Sequence, residues 1–222
     1  MDIALIVQTV TLYAIPVLFA ITLHEAAHGY VARHYGDPTA WQLGRVTLNP
    51  VKHIDPLGTI LMPLLLYFAT AGNFLFGYAK PVPVDFGRLR NPKRDMIWVA
   101  LAGPASNLLQ AALWLLLLYV LRSAGVEERF WLAMCRAGFV VNLVMFAFNM
   151  FPLPPLDGGR ILTGLLPWKQ AAAFSRIEPF GFFIVLALVV TGLVGEFWLR
   201  PLMNLSGAAI EWLLTPIRLL LL

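Results

Sequence analysis

Long runs of apolar residues alternate along this chain with short polar stretches, and most of the runs are long enough to cross a membrane as a helix. The first run covers residues 3–23. We expect its helix to continue to about Tyr35, because the next residues, Gly36-Asp37-Pro38, form a stop signal. Further spans are predicted over residues 96–121, 130–151 and 180–199, and a final apolar segment over residues 202–222 is interrupted by Glu211 and Arg218.

A shorter apolar run, residues 57–71, contains Pro63 and lies between two basic stretches, residues 37–55 and 73–95. Loops rich in Lys and Arg face the cytoplasm, so both stretches are predicted to lie on that side of the membrane. A segment that starts and ends on one side cannot be a full span. We therefore expect a re-entrant segment that is shielded by protein, because lipid cannot satisfy open backbone groups.

Two parts of these cytoplasmic stretches, residues 41–48 and 79–84, look extended and are punctuated by glycine and proline. They predict a small membrane-associated β-sheet, in which the proline-bearing strand must be an edge. The predicted fold class is therefore an all-α polytopic membrane protein with about five to six apolar segments, one of them re-entrant, and a small β-sheet. We expect residues 1–222 to form one membrane-embedded domain.

Composition supports this interpretation and excludes an ordinary soluble domain. Hydrophobic residues make up 59% of the chain and charged residues 13%, and the mean hydropathy is +0.76. The net charge of +4 comes from basic residues that lie between apolar segments, which indicates membrane topology and not nucleic-acid binding. The single cysteine, Cys135, excludes an internal disulfide framework.

The most informative motif, His24-Glu25-Ala26-Ala27-His28, lies at the end of the first apolar run. Histidines at positions i and i+4 project from one helix face, so His24 and His28 can share one metal ion. Glu25 lies beside them and can act as a general base on a metal-bound water, which is the arrangement of zinc metallopeptidases. The alternative is a chance pair of interfacial histidines.

A catalytic zinc ion needs a third protein ligand, and Asp157 is the candidate. It follows a membrane span and a proline-rich break, at the depth predicted for the histidine pair. The competing interpretation makes Asp157 only the N-cap of a helix that starts at Gly158. The two roles are compatible.

These motifs together resemble the site-2 protease family of intramembrane zinc metalloproteases, and specifically its minimal prokaryotic branch. The matching positions are His24, Glu25 and His28, then Asn149, Pro152, Pro154, Asp157 and Gly158, then Gly103 and Asn107 as a Gly-x-x-x-Asn element, and Asn49-Pro50, His53 and Asp55-Pro56 in the segment 44–58. The resemblance implies a three-helix catalytic core, an active site near the cytoplasmic side, and cleavage of a transmembrane or membrane-proximal segment.

Four further residues are candidates for binding substrate or the oxyanion. The resemblance implies that Asn149 holds the substrate backbone, although a structural hydrogen bond explains it nearly as well. Asn107 lies on a face of small and polar residues, which indicates close helix packing or substrate contact. His53 is either a solvated loop residue or an oxyanion donor. Val82 lies between two prolines, so its N–H and C=O are predicted to pair with an extended substrate.

The sequence thus predicts a zinc endopeptidase of the cell membrane, multi-pass, with its active site toward the cytoplasm and one Zn²⁺ per chain on His24, His28 and Asp157. Zinc would polarise a water and the scissile carbonyl, and Glu25 would move the proton to the leaving amine. The expected partners are a membrane-protein substrate with a transmembrane segment and the lipid bilayer, without nucleic acid, and a homo-oligomer is left open. Two alternatives are a metal or ion transporter and an inactive relative that binds membrane segments.

Overall fold

The computed structural model of this protein describes residues 3–61, 65 and 80–222, and over these residues the fold is built from helices without a β-strand. The α-helices are α1 Ile3–His34, α2 Thr39–Gln42, α3 Pro92–Ser123, α4 Arg129–Asn149, α5 Asp157–Leu165, α6 Trp168–Ser175, α7 Glu178–Val190 and α8 Arg200–Leu221. Short 3-10 turns cover Pro50–His53 and Phe86–Arg88, and wider π-type turns cover Pro56–Leu61 and Gly195–Leu199.

Three of the described helices are long and apolar enough to cross a membrane: α1 from Val7, α3 and α4. Helices α6 and α7 meet at an angle of 66° and could together make a fourth, broken span. The apolar surfaces of these helices account for the many exposed large hydrophobic side chains, which face lipid in a membrane protein. The protein is therefore a membrane protein.

Helices α1, α3 and α4 form the core that positions the site. Helix α3 runs antiparallel to α1, since Val99 contacts His28 and Asn107 contacts Ala20 farther from the end of α1. Helix α4 runs back along α3, and α8 packs against both. A buried apolar cluster joins these last three helices, made of Ala111, Leu115, Leu118, Tyr119, Cys135, Leu143, Ile210 and Leu214.

Helix α1 ends where the sequence predicts. Gly36 adopts a left-handed conformation with φ of 113°, which favours glycine and stops the helix. The buried Asp37 carboxylate then accepts a hydrogen bond from the Thr39 N–H at the start of α2 and another from the Asp85 N–H. The Arg90 N–H donates to the Tyr35 carbonyl. The regions on either side of residues 62–79 therefore meet at the same end of the helical core.

The predicted β-sheet is wrong for the residues that the structure describes. Residues 41–48 lie in the end of α2 and in turns, which are closed by local backbone bonds such as the Arg45 N–H to the Ala40 carbonyl. Residues 80–84 are not helical and pair with no strand, because their backbone groups bond to other partners, described below. Residue 79 lies outside the described residues.

The described residues do not support the predicted five to six apolar segments, since their helices supply three spans, or four with the bent pair. The helix predicted over residues 180–199 ends at Val190. Gly192, with φ of 78°, breaks it. Most of the predicted re-entrant segment, residues 57–71, lies outside the described residues. Its first part, Pro56–Leu61, forms a wide helical turn.

Candidate metal centre

Three side chains bring their ligand atoms together between α1 and α5. His24 and His28 lie one turn apart on α1, and Asp157 is the first residue of α5. The two histidine Nε2 atoms are 3.1 Å apart. The Oδ2 atom of Asp157 is 3.3 Å from Nε2 of His24 and 3.4 Å from Nε2 of His28. His24 and Asp157 are buried, and the His28 side chain is only 12% exposed.

Hydrogen bonds on the far side of each ring fix which histidine nitrogen is free. The Nδ1 atom of His24 lies 2.7 Å from Oδ1 of Asn107, and the Nδ1 atom of His28 lies 2.7 Å from the Val99 carbonyl oxygen. Both oxygens can only accept, so each Nδ1 carries the proton and each Nε2 presents a lone pair. Two lone pairs at 3.1 Å cannot hydrogen-bond to each other, and a cation between them resolves the contact.

The orientation of Asn107 is itself fixed by the core. Its Nδ2 donates to the Ala20 carbonyl at 3.1 Å and to Oδ1 of Asn142 at 2.9 Å. The Asn142 Nδ2 in turn donates to the Gly138 carbonyl. Because the amide nitrogen of Asn107 is used in this way, its oxygen must face His24. This chain of side chains links α1, α3 and α4 and is buried throughout.

Asp157 completes a donor set that fits zinc. Its Oδ2 is buried and has no hydrogen-bond partner among the described residues. Tetrahedral zinc with bonds of about 2.0–2.1 Å separates its ligands by roughly 3.3–3.4 Å, which is close to the spacing observed here. Two imidazoles and one carboxylate would leave a fourth position for chemistry.

Gly103 of α3 lies directly against the two histidines. A Cβ atom at this position would be 2.6 Å from Nε2 of His24 and closer still to Nε2 of His28. No side chain fits there, so glycine is required for α3 to approach the metal ligands this closely. The Gly-x-x-x-Asn element of the sequence thus places both Gly103 and Asn107 on the histidine pair.

The loop before Asp157 explains how α5 reaches the site. It contains a cis peptide bond between Pro154 and Pro155. A Cβ atom at Gly158 would be 2.6 Å from the Phe151 carbonyl oxygen, and one at Gly159 would collide with the backbone at Pro154. The two glycines therefore let the first turn of α5 pack against this loop, which sets the position of Asp157.

Glu25 contacts a segment that crosses α1, which we call the strap, residues 80–85. The Val82 N–H donates to Oε2 of Glu25 at 2.6 Å. Other bonds hold the strap on both sides of Val82, and after it the Asp85 N–H donates to the Asp37 carboxylate. The Lys80 N–H donates to the His53 carbonyl, and Arg45 Nη2 donates to the Lys80 carbonyl, each at 2.9 Å. The Val82 N–H that is predicted to pair with substrate is thus bonded to Glu25.

The remaining predicted residues do not touch the metal ligands. Asn149 donates from Nδ2 to the Met145 carbonyl one turn back on its own helix. His53 is buried, its Nε2 lies 3.0 Å from the Thr47 carbonyl, and its Nδ1 has no partner among the described residues. Sequence reasoning did not find the Val99 carbonyl, since backbone groups carry no sequence signal.

The known proteins that resemble this chain are named as zinc metalloproteases. Residues 121–192 match the family model described as "Peptidase family M50". The chain is 41% identical over 198 residues to "Putative zinc metalloprotease YwhC" of Bacillus subtilis, covering 86% of this chain and 84% of that protein. It is 31% identical to "Putative zinc metalloprotease Rip2" of Mycobacterium tuberculosis strain H37Rv, covering 86% of this chain and 73% of the relative. No solved structure matches.

Proposed function

This chain belongs to peptidase family M50, the site-2 protease family of zinc metalloproteases, and on this premise we propose that it is an active intramembrane protease with one Zn²⁺ per chain. It would hydrolyse peptide bonds in or near the transmembrane segments of membrane-protein substrates. The observation that carries this proposal is the convergence of two histidine lone pairs and one unpaired, buried carboxylate oxygen on a single point.

Each residue of the site has a separate role in the proposed hydrolysis. A zinc ion held by His24, His28 and Asp157 would supply a Lewis acid and an activated water. Asn107 and the Val99 carbonyl hold the imidazoles so that both Nε2 atoms face the ion. Glu25, next to His24 on α1, accepts the proton of the attacking water and passes it to the leaving amine. The Val82 N–H fixes one oxygen of that carboxylate.

Substrate access defines the rest of the proposal. His28 lies six residues before the end of α1, which places it about 9 Å from the helix end. The contacts of Tyr35 and Asp37 with residues 85–90 support a location of both basic stretches on one side, which by their charge is the cytoplasm. The site would thus lie within the cytoplasmic leaflet of the cell membrane, where water can reach it.

Zinc content and a base-deficient variant test this proposal together. The purified protein should contain about one zinc per chain, and replacing both histidines by alanine should remove it. Glu25→Gln should keep zinc but lose roughly 10²- to 10⁴-fold in cleavage rate. Glu127→Gln, an exposed carboxylate in the loop before α4, is the matched control and should cleave like wild type.

The assay is fragment formation from single-span membrane proteins in reconstituted vesicles. Zinc binding without cleavage of any substrate by wild type would instead support a protein that binds membrane segments. Cleavage that survives Glu25→Gln at the wild-type rate would reject Glu25 as the base.

A further inference from the structure

A groove with a volume of about 790 Å³ opens between α1 and α3 beside the metal centre. We call it the α1–α3 groove. Ala26 and Ala27 form part of one wall, and Ala105 and Gln110 form part of the other. Val46, Thr47 and Leu48 also line the groove. The rim residues Tyr30, Leu109 and Leu113 are each more than half exposed, so the groove is open toward the surrounding lipid.

Gln110 is the unusual residue of this groove. Its side chain is buried, with 5% exposed, and neither its amide oxygen nor its amide nitrogen has a hydrogen-bond partner among the described residues. An unpaired carboxamide at membrane depth is unfavourable, because neither lipid nor apolar side chains replace the lost hydrogen bonds. Such a group is expected to be retained when a ligand satisfies it.

The groove lies next to the catalytic centre, although the metal ligands and Glu25 do not line it. Ala26 and Ala27 lie inside the histidine motif of α1, and Ala102 and Ser106, which also line the groove, flank the Gly103 that contacts both histidines. Gln110 lies seven residues beyond Gly103 on α3, about 10 Å farther from the end of the bundle where α1 stops. An extended chain that leaves the groove beside Gly103 to reach the metal centre would therefore run along Gln110.

Building on the proposed function, we propose that the α1–α3 groove binds the transmembrane segment of the substrate, and that the Gln110 carboxamide hydrogen-bonds its main chain beyond the scissile bond. A transmembrane helix that unwinds for cleavage exposes a peptide N–H and C=O for every residue it opens. The carboxamide offers both an acceptor and donors to such a peptide unit. The apolar walls accept the flanking side chains, whereas a lipid acyl chain would leave the amide unpaired.

Gln110→Met tests this proposal, because methionine keeps the length of the side chain and loses the amide. In reconstituted protein, the KM for a single-span substrate should rise roughly five- to tenfold, the effect of one lost hydrogen bond. Zinc content and kcat should stay unchanged. The Tm of the substrate-free protein should stay the same or rise, since an unpaired polar group is removed. Gln8→Met, at an exposed position of α1 outside the groove, is the control.

Three results would overturn the proposal. A KM for Gln110→Met equal to that of wild type would indicate that lipid and not substrate occupies the groove. A lower Tm with reduced zinc content would show that Gln110 has a structural role. The third result comes from disulfide crosslinking in a Cys135→Ala, Glu25→Gln background. A cysteine that replaces Leu109 on the rim should crosslink to a substrate that carries a cysteine in its transmembrane span. The absence of a crosslink would exclude the groove as the substrate-binding site. Failure of the proposed function is distinct, because wild type itself would then cleave no substrate.

Discussion

Replacing Gly103 by alanine should disable the metal centre while leaving the helix that carries it intact. The added Cβ would be 2.6 Å from both Cε1 and Nε2 of His24 and nearer still to Nε2 of His28. Non-bonded carbon contacts are optimal at about 3.5–4.0 Å, so the overlap is about 1 Å. The imidazoles cannot turn away freely, because Asn107 and the Val99 carbonyl hold their other nitrogens. Helix α3 must therefore move away from α1.

A shift of about 1 Å is large for this site, since metal-ligand distances tolerate about 0.2 Å and misplacing a catalytic group by 1 Å can cost roughly 100-fold in rate. We expect zinc content well below one per chain and a loss of activity of at least about 100-fold. Alanine favours a helix over glycine by about 1 kcal/mol, so the substitution does not unfold α3 by propensity.

The assay combines metal analysis of the purified variant, far-UV circular dichroism and cleavage of a membrane substrate in vesicles. Gly195→Ala is the matched control, because a Cβ at that helical position meets nothing within 4 Å, and it should keep both zinc and activity. Full zinc content together with wild-type kcat in Gly103→Ala would refute the close contact between α3 and the histidines, and with it the geometry of the centre.

Two further substitutions separate the roles of neighbouring groups. Asn107→Ala removes the acceptor of the His24 Nδ1–H and should weaken zinc binding about 10- to 100-fold in a chelator competition. Equal affinities in Asn107→Ala and wild type would contradict the orienting role. Val82→Pro removes the N–H that holds Glu25 and should lower kcat while zinc is retained. Val82→Ala keeps that N–H, so its kcat should fall much less. A rise in KM alone in Val82→Pro would instead favour pairing of Val82 with substrate.

The elements that were predictable from the sequence are those fixed by local spacing. The length of α1 follows from an unbroken apolar run, and its end follows from Gly36 and from Asp37, which bonds to the Thr39 N–H. The four-residue spacing of His24 and His28 is enough to place both on one face. Asp157 required more, because only the proline-rich break and the resemblance to a family brought a residue so distant in the sequence to the same point.

The β-sheet prediction failed because hydrogen bonds to residues distant in the sequence, and not the local sequence pattern, determine the conformation of these segments. Residues 41–48 look extended and contain Gly44, but the Asp37 carboxylate bonds to the Thr39 N–H at the start of a helical turn and backbone bonds close it. In the strap, Pro81 and Pro83 lack N–H groups, so Val82 is the donor between them. That donor bonds to Glu25, and the Arg45 side chain takes the carbonyl of Lys80. The partners lie 57 and 35 residues away in sequence, and nothing in the strap itself identifies them.

The hydrogen-bond chain behind His24 orients the imidazole of the candidate metal centre through bonds within the protein. Gly138, Asn142, Asn107 and His24 are joined in series across α4, α3 and α1, and each bond is buried. A buried polar series is stable only when each group is satisfied, so its members hold one another in a single arrangement. The His28 ring is held separately by a carbonyl of α3. Both imidazoles therefore face the same point because of how α1, α3 and α4 pack against one another. The buried polar residues that link these helices are thus the residues that orient the two histidines for zinc.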